Sequence, residues 1–180
     1  MRATITPVGT LKAGIHVLNE GIDQTGTLIG VAGVSDVTAF GADLHGAIGG
    51  WQVDSEYAMS RVTDAGTTTT ENAFYGKVAG SLGPVKVYNL NYRSISAGYD
   101  AVAGIMEADP TDTDNGSTAP YAADQTGFGF KVGGTLGPVS LGEYMDNQVA
   151  AGLSPFATAG TASAIVERGV GAKVSLFNLV

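Results

Sequence analysis

The sequence has no cysteine, two histidines and one tryptophan among 180 residues. Without cysteine there is no disulfide framework, no thiolate zinc site and no cysteine nucleophile. His16 and His45 are the whole imidazole supply, which leaves little for acid–base chemistry. Both fall inside alternating segments, and no nucleophile-elbow sequence occurs, so no enzymatic activity is expected. Charge is scarce too: 14% of residues, with nine Lys and Arg against seventeen Asp and Glu for a formal net charge of −8. An acidic chain with no basic run lacks the clustered cations that bind phosphates, so no nucleic-acid partner is expected. Gly127-Phe128-Gly129 opens a strand pattern and not a helix, so a nucleotide loop is not supported.

Long apolar runs are also missing. The longest uncharged stretch, 147–166, contains Gly152, Pro155 and Gly160 and is too polar for a transmembrane helix. Met1-Arg2-Ala3-Thr4 leads straight into alternation without an apolar h-region, so no signal peptide is expected. If this chain meets a membrane, it must do so as a β-barrel, the other structure that satisfies its backbone in lipid.

Glycine, by contrast, is abundant: 27 residues, about twice the usual share of roughly 7%. It interrupts nearly every helical pattern, and the segments between glycines alternate apolar with polar. Strands are expected at 10–19, 27–34, 37–48, 51–62, 73–82, 85–97, 126–135, 139–147 and 163–177, with 2–8 as a tenth held to an edge or strand end by Pro7. Several run to about nine to thirteen residues, which suits a tilted membrane-crossing strand of roughly nine to eleven.

The clearest hairpin spans 37–62. Gly49-Gly50 allows positive φ at both turn positions, which sets Ile48 opposite Trp51, His45 opposite Asp54, Asp43 opposite Glu56 and Phe40 opposite Met59. One face then carries Phe40, Ala42, Leu44, Ile48, Trp51, Val53, Tyr57 and Met59. The other carries Asp43, His45, Gln52, Asp54, Glu56 and Ser60. A barrel wall with a wet lumen has this division, and so does a half-buried hairpin of a soluble sandwich.

Residues 77–87 (Lys-Val-Ala-Gly-Ser-Leu-Gly-Pro-Val-Lys-Val) and 131–141 (Lys-Val-Gly-Gly-Thr-Leu-Gly-Pro-Val-Ser-Leu) are a repeat, identical at seven of eleven positions. Lys173-Val174-Ser175-Leu176 begins a weak third copy. Each full copy reads as strand, tight turn, strand, the unit by which up-and-down barrels grow. Short connections (49–50, 82–84, 136–138) alternate with long polar ones (63–72, 98–125, 148–162). That pattern gathers short turns at one end and long loops at the other, as outer-membrane barrels do.

In the first repeat a three-residue turn places Phe74, Val78, Tyr88, Leu90 and Tyr92 on one face. Tyr75, Lys77, Asn89, Asn91 and Arg93 then share the other. In the second repeat Val139, Leu141 and Met145 share a face with Glu143, which leaves its lipid and lumen sides undivided. Trp51 lies beside a short turn, and Tyr92 and Tyr99 lie toward long loops, as interfacial girdles would.

The alternating glycine-rich strands, the repeated Gly-(Ser/Thr)-Leu-Gly-Pro-Val hairpin (80–85 and 134–139) and the long acidic loops resemble outer-membrane β-barrels. Over roughly 37–180 the chain is similar to the large barrel of the S-layer outer-membrane proteins of the Deinococcus–Thermus group. In that family a surface-layer-homology region and a coiled coil precede a porin-like barrel, and neither is found in this sequence, nor is a terminal aromatic. The resemblance implies an all-β, antiparallel up-and-down membrane β-barrel, or a segment of a larger one. It further implies a structural, porin-like role in the outer membrane and S-layer. Its partners would be the lipid bilayer and further barrel strands or copies of the same chain.

The whole chain, 1–180, is expected to form a single domain of about nine or ten strands. Lumen-lining candidates are Asp43, His45, Asp54, Glu56, Lys77, Asn89, Asn91 and Arg93. The square of Asp43, His45, Asp54 and Glu56 reads as a cation-favouring lumen patch, a metal site or a plain solvent face. Asp109, Asp112 and Asp114, at alternate spacing before Asn115-Gly116, read as a calcium-binding loop or a solvated tip. The EF-hand glutamate is missing, which leaves the solvated tip ahead; no cofactor is required by the sequence, and calcium is the one that the resemblance adds, since surface layers of the family use divalent cations. The alternative to a membrane barrel is a soluble all-β surface-layer or capsid-like module acting through protein–protein contacts.

Overall fold

The computed structural model describes residues 2–21, 34–64, 66–99, 124–156 and 165–175. They form nine strands: β1 (Arg2–Val8), β2 (Leu11–Gly21), β3 (Val34–Ile48), β4 (Trp51–Asp64), β5 (Thr67–Leu82), β6 (Val85–Ile95), β7 (Gln125–Leu136), β8 (Val139–Val149) and β9 (Ile165–Val174). Each pairs antiparallel with the next in one meandering sheet. Among the described residues there is no helix and no second layer. Of the expected strands, 27–34 lies outside the described residues except for Val34, which begins β3, and β2 pairs directly with β3.

The two faces of this sheet differ in an unusual direction. Arg93 is 0% exposed and Glu56 7%, with Asp43, Asn91 and Gln125 also buried, whereas Leu136 is 83% exposed, with Ile15, Phe40, Tyr57, Leu90 and Leu141 open as well. A single flat sheet would expose both faces alike. Burial concentrated on the polar side means that the sheet curls toward its polar face; on the outer face Thr126 and its partner Val149 are buried as well, at the end where the chain turns after β8. A soluble sandwich buries the opposite set.

The β3–β4 register is the one the glycine turn dictates: Ile48↔Trp51, His45↔Asp54, Asp43↔Glu56 and Phe40↔Met59. The connection expected at 63–72 is not a long loop. Pairing continues to Asp64↔Thr67, with Gly66 at φ 82° in the turn. Thr67–Thr70 are β-branched residues that favour strand, and the Thr63 and Thr68 hydroxyls meet across the pair at 3.1 Å. The hairpin therefore runs on where composition alone suggested a loop.

Both repeats turn on two residues, Gly83-Pro84 and Gly137-Pro138, with the glycines at φ 58° and 59°. The three-residue turn expected in the first repeat is instead a two-residue turn followed by a bulge. The β5–β6 register shifts between Val78↔Leu90 and Gly80↔Val87, and the β6–β7 register between Val87↔Val132 and Asn89↔Lys131. Tyr88 is the extra residue common to both shifts. The bulge preserves the expected division of Phe74, Val78, Leu90 and Tyr92 from Tyr75, Lys77, Asn89, Asn91 and Arg93, but it moves Tyr88. That ring approaches the side of Gly133, where a Cβ would stand 3.1 Å from it, and so joins the polar face.

In the second repeat pairing is unbroken from Leu136↔Val139 to Thr126↔Val149. Glu143 pairs with Val132 and shares the apolar face with Phe130, Leu141 and Met145. The mixed pattern in the sequence is thus a real acidic residue on that face and not a register error.

A Cβ at Gly83 or Gly137 must sit in a left-handed backbone. Gly83→Ala or Gly137→Ala is expected to lower stability by about 1–2 kcal/mol. Gly171, with open space around its missing Cβ, should accept alanine within roughly 0.5 kcal/mol. Urea unfolding of the reconstituted protein checks both.

Candidate functional site: the polar wall

Register lines up two belts across the sheltered face. One runs Lys12, His45, Asp54, Lys77, Asn91, Gly129, Asp146, Glu167; the next runs Gly14, Asp43, Glu56, Tyr75, Arg93, Gly127, Gln148. All eight lumen-lining candidates, Asp43, His45, Asp54, Glu56, Lys77, Asn89, Asn91 and Arg93, lie on this face. Asn89 shares it through a hydrogen bond from Asn91 Nδ2 at 3.0 Å.

The expected square assembles on β3 and β4. His45 Nδ1 lies 3.2 Å from Asp54 Oδ1, and His45 Nε2 lies 3.5 Å from Asp43 Oδ1. A fifth member was missed. His16, on β2, places Nδ1 3.6 Å from Asp43 Oδ2 and Nε2 3.9 Å from Glu56 Oε1. Its ring fits because its partner is Gly41, whose Cβ would collide with the imidazole. The β2–β3 connection is long, so turn chemistry could not supply this register. The arrangement interleaves two imidazoles with three carboxylates. Among the described residues no group of three or more His, Asp or Glu side chains is placed to hold a metal ion. The five groups form a charged patch on the sheltered face. Asp109, Asp112 and Asp114 lie outside the described residues.

The second cluster centres on Arg93. Its guanidinium donates to Asp146 through both terminal nitrogens, at 2.8 and 2.6 Å. It also donates to Gln125 Oε1 at 3.0 Å, Asn91 Oδ1 at 3.2 Å and Gln148 Oε1 at 3.2 Å. A fully buried cation is tolerable only with such complete pairing. The space comes from glycine. A Cβ on Gly127 would stand 2.7 Å from the Asn147 carbonyl and 2.8 Å from Arg93 Cζ, and one on Gly129 would stand 2.5 Å from Asp146 Oδ1. Sequence reading found Arg93 but not Asp146, Gln125 or Gln148. The alternate polar positions of Asp146 and Gln148 in β8 were the available signal.

Above these belts the polar face becomes apolar. Ala58, Ala73, Tyr75 and Ile95 pack with Tyr99. The connection after β6 begins by folding inward, with the Tyr99 amide donating to Ser96 O at 3.1 Å. Tyr99 thus packs on the sheltered face toward the long-loop end, where sequence reading had placed it as an interfacial aromatic. The outer face carries its own aromatic row. Tyr57 pairs with Phe74 and Tyr92 with Phe128, and the Phe74 and Tyr92 rings lie 6.2 Å apart.

Removing Asp146 would leave Arg93 buried without its carboxylate. Asp146→Ala is expected to cost about 3–5 kcal/mol, and pairing it with Arg93→Met should recover most of the loss. A double-mutant unfolding cycle measures both.

Two comparisons bear on this wall. The family model for the β-barrel domain of S-layer protein SlpA matches residues 1–180, a longer reach than the 37–180 over which the resemblance was first drawn. A curated relative, "Outer membrane protein SlpA" of Deinococcus radiodurans, is 36% identical over 99% of this chain. The chain spans 20% of that relative's length.

Proposed function

Because the chain belongs to the SlpA β-barrel family of S-layer proteins and is an outer-membrane, structural component of the cell envelope, we propose that its polar face lines a water-filled passage through which ions and small solutes cross passively. The observation that carries this reading is the reversed burial: charged and amide side chains on the sheltered side, aliphatic and aromatic ones outward. Water on one side of the wall and hydrocarbon on the other account for it. Strand length agrees. β4 has 14 residues and β5 has 16, against roughly nine to eleven needed to cross a bilayer. Their shared hairpin therefore extends beyond the hydrocarbon.

Nine strands alone enclose little more than their own side chains, since about eight fill a barrel and sixteen leave water. Among the described residues β1 and β9 each pair on one side only. We take both edges to continue into further strands of a larger wall, supplied by more of the same polypeptide or by further copies. Acidic groups on the belts, Asp43, Asp54, Glu56, Asp146 and Glu167, outnumber Lys12, Lys77 and Arg93. A weak cation preference follows.

Planar-bilayer recording under a salt gradient tests this. The wild type should give a reversal potential of cation-preferring sign. Asp54→Asn with Glu56→Gln should move it toward zero, and Lys77→Gln should move it the other way. Glu143→Gln, on the outer face, should leave it in place. An equal response to Glu143→Gln, or no conductance at all, would defeat the proposal.

A further inference from the structure

On the outer face the segment after β8 turns back over the wall. Asn147 Nδ2 donates to the Pro155 carbonyl, and the Ala151 amide donates to Asp124 Oδ1 at 3.1 Å. This brings Phe156 onto Phe128, with ring centroids 4.8 Å apart and planes 20° apart. Phe156 is nevertheless 72% exposed. Beside it runs a slot of about 420 Å³. Its floor is the Ser55–Gly76 pair, two of the smallest side chains on this face. Val53, Val78 and Leu90 form its lower wall, and Phe128 with Phe156 its rim. No helix or strand among the described residues covers it.

We infer that this slot holds one acyl chain of an envelope lipid, with Phe156 as its clamp. The slot's volume is of the order of one acyl chain, and its walls are almost wholly hydrocarbon. It lies in the middle of the sheet, where every backbone group is committed to the ladder, so no incoming strand can pair there. It is continuous with the apolar outer wall, which in an outer-membrane protein meets lipid. A phenyl ring held out from a polar connecting segment gains from such contact and loses from water. The inference rests on the family's outer-membrane placement and is independent of any passage through the lumen.

The test uses the full chain reconstituted in phosphatidylglycerol bilayers doped with a nitroxide-labelled stearoyl lipid. Electron paramagnetic resonance reads the motionally restricted fraction. Ser55→Leu fills the floor and should abolish one restricted chain per protein, whereas Leu141→Ala, on the outer wall away from the slot, should retain it. An unchanged restricted fraction in Ser55→Leu overturns the inference. Should that variant fail to assemble, Phe156→Ala alters only the connecting segment. It should speed exchange of the restricted lipid several-fold, and unchanged exchange would equally overturn the inference. Efficient disulfide-linked pairing of Ser55→Cys chains in the bilayer would assign the slot to a second copy and refute the lipid reading.

Discussion

The antiparallel ladder is the constraint on which everything else here depends. Each strand's position against its neighbour decides which of its residues face inward, and a slip of one would carry charge to the apolar outer face and Leu or Tyr to the polar one. In a bilayer such a slip has no remedy, because backbone groups cannot turn to water instead. Tight glycine turns fix the register of the hairpins they close. Side-chain pairs such as Asp54 with Lys77 and Tyr57 with Phe74 then reinforce it on the two faces.

Glycine has two separate duties in this chain. At the turns it supplies backbone conformations. Within β3 and β7 it supplies room: Gly41 accommodates the His16 ring, and Gly127 with Gly129 accommodates Arg93 and its carboxylate. The wall is thus studded with recesses that let long polar side chains lie flat against it. This explains how a chain so rich in glycine still forms long, regular strands: at these places the missing side chain is replaced by one from the neighbouring strand.

Much of this was legible in the sequence wherever a short turn sits between two patterned segments. The β3–β4 hairpin was readable residue by residue because Gly49-Gly50 admits only one pairing. The nine described strands (with 2–8, expected as a tenth, as β1), the meander and the shared face of Asp43 through Arg93 followed from the same alternation. Three things were hidden. Long connections carry no register, so the approach of His16 to Asp43 and Glu56 could not be foreseen. Threonines at 67–70 have loop-like polarity but strand-like branching, and the branching prevailed. Tyr88 appeared to belong to the apolar set because it alternates with Leu90 and Tyr92, and only the bulge reverses it.

The bulge at Tyr88 has a geometric consequence for β6 itself. One surplus residue disturbs both ladders of β6 at the same height, and a bulge sharpens local twist and bends its strand. β6 thus bends more sharply beside Tyr88 than along its regular stretches. Tyr88 therefore marks the point where β6 departs from a regular ladder on both of its sides, and where its ring leaves the apolar face for the polar one.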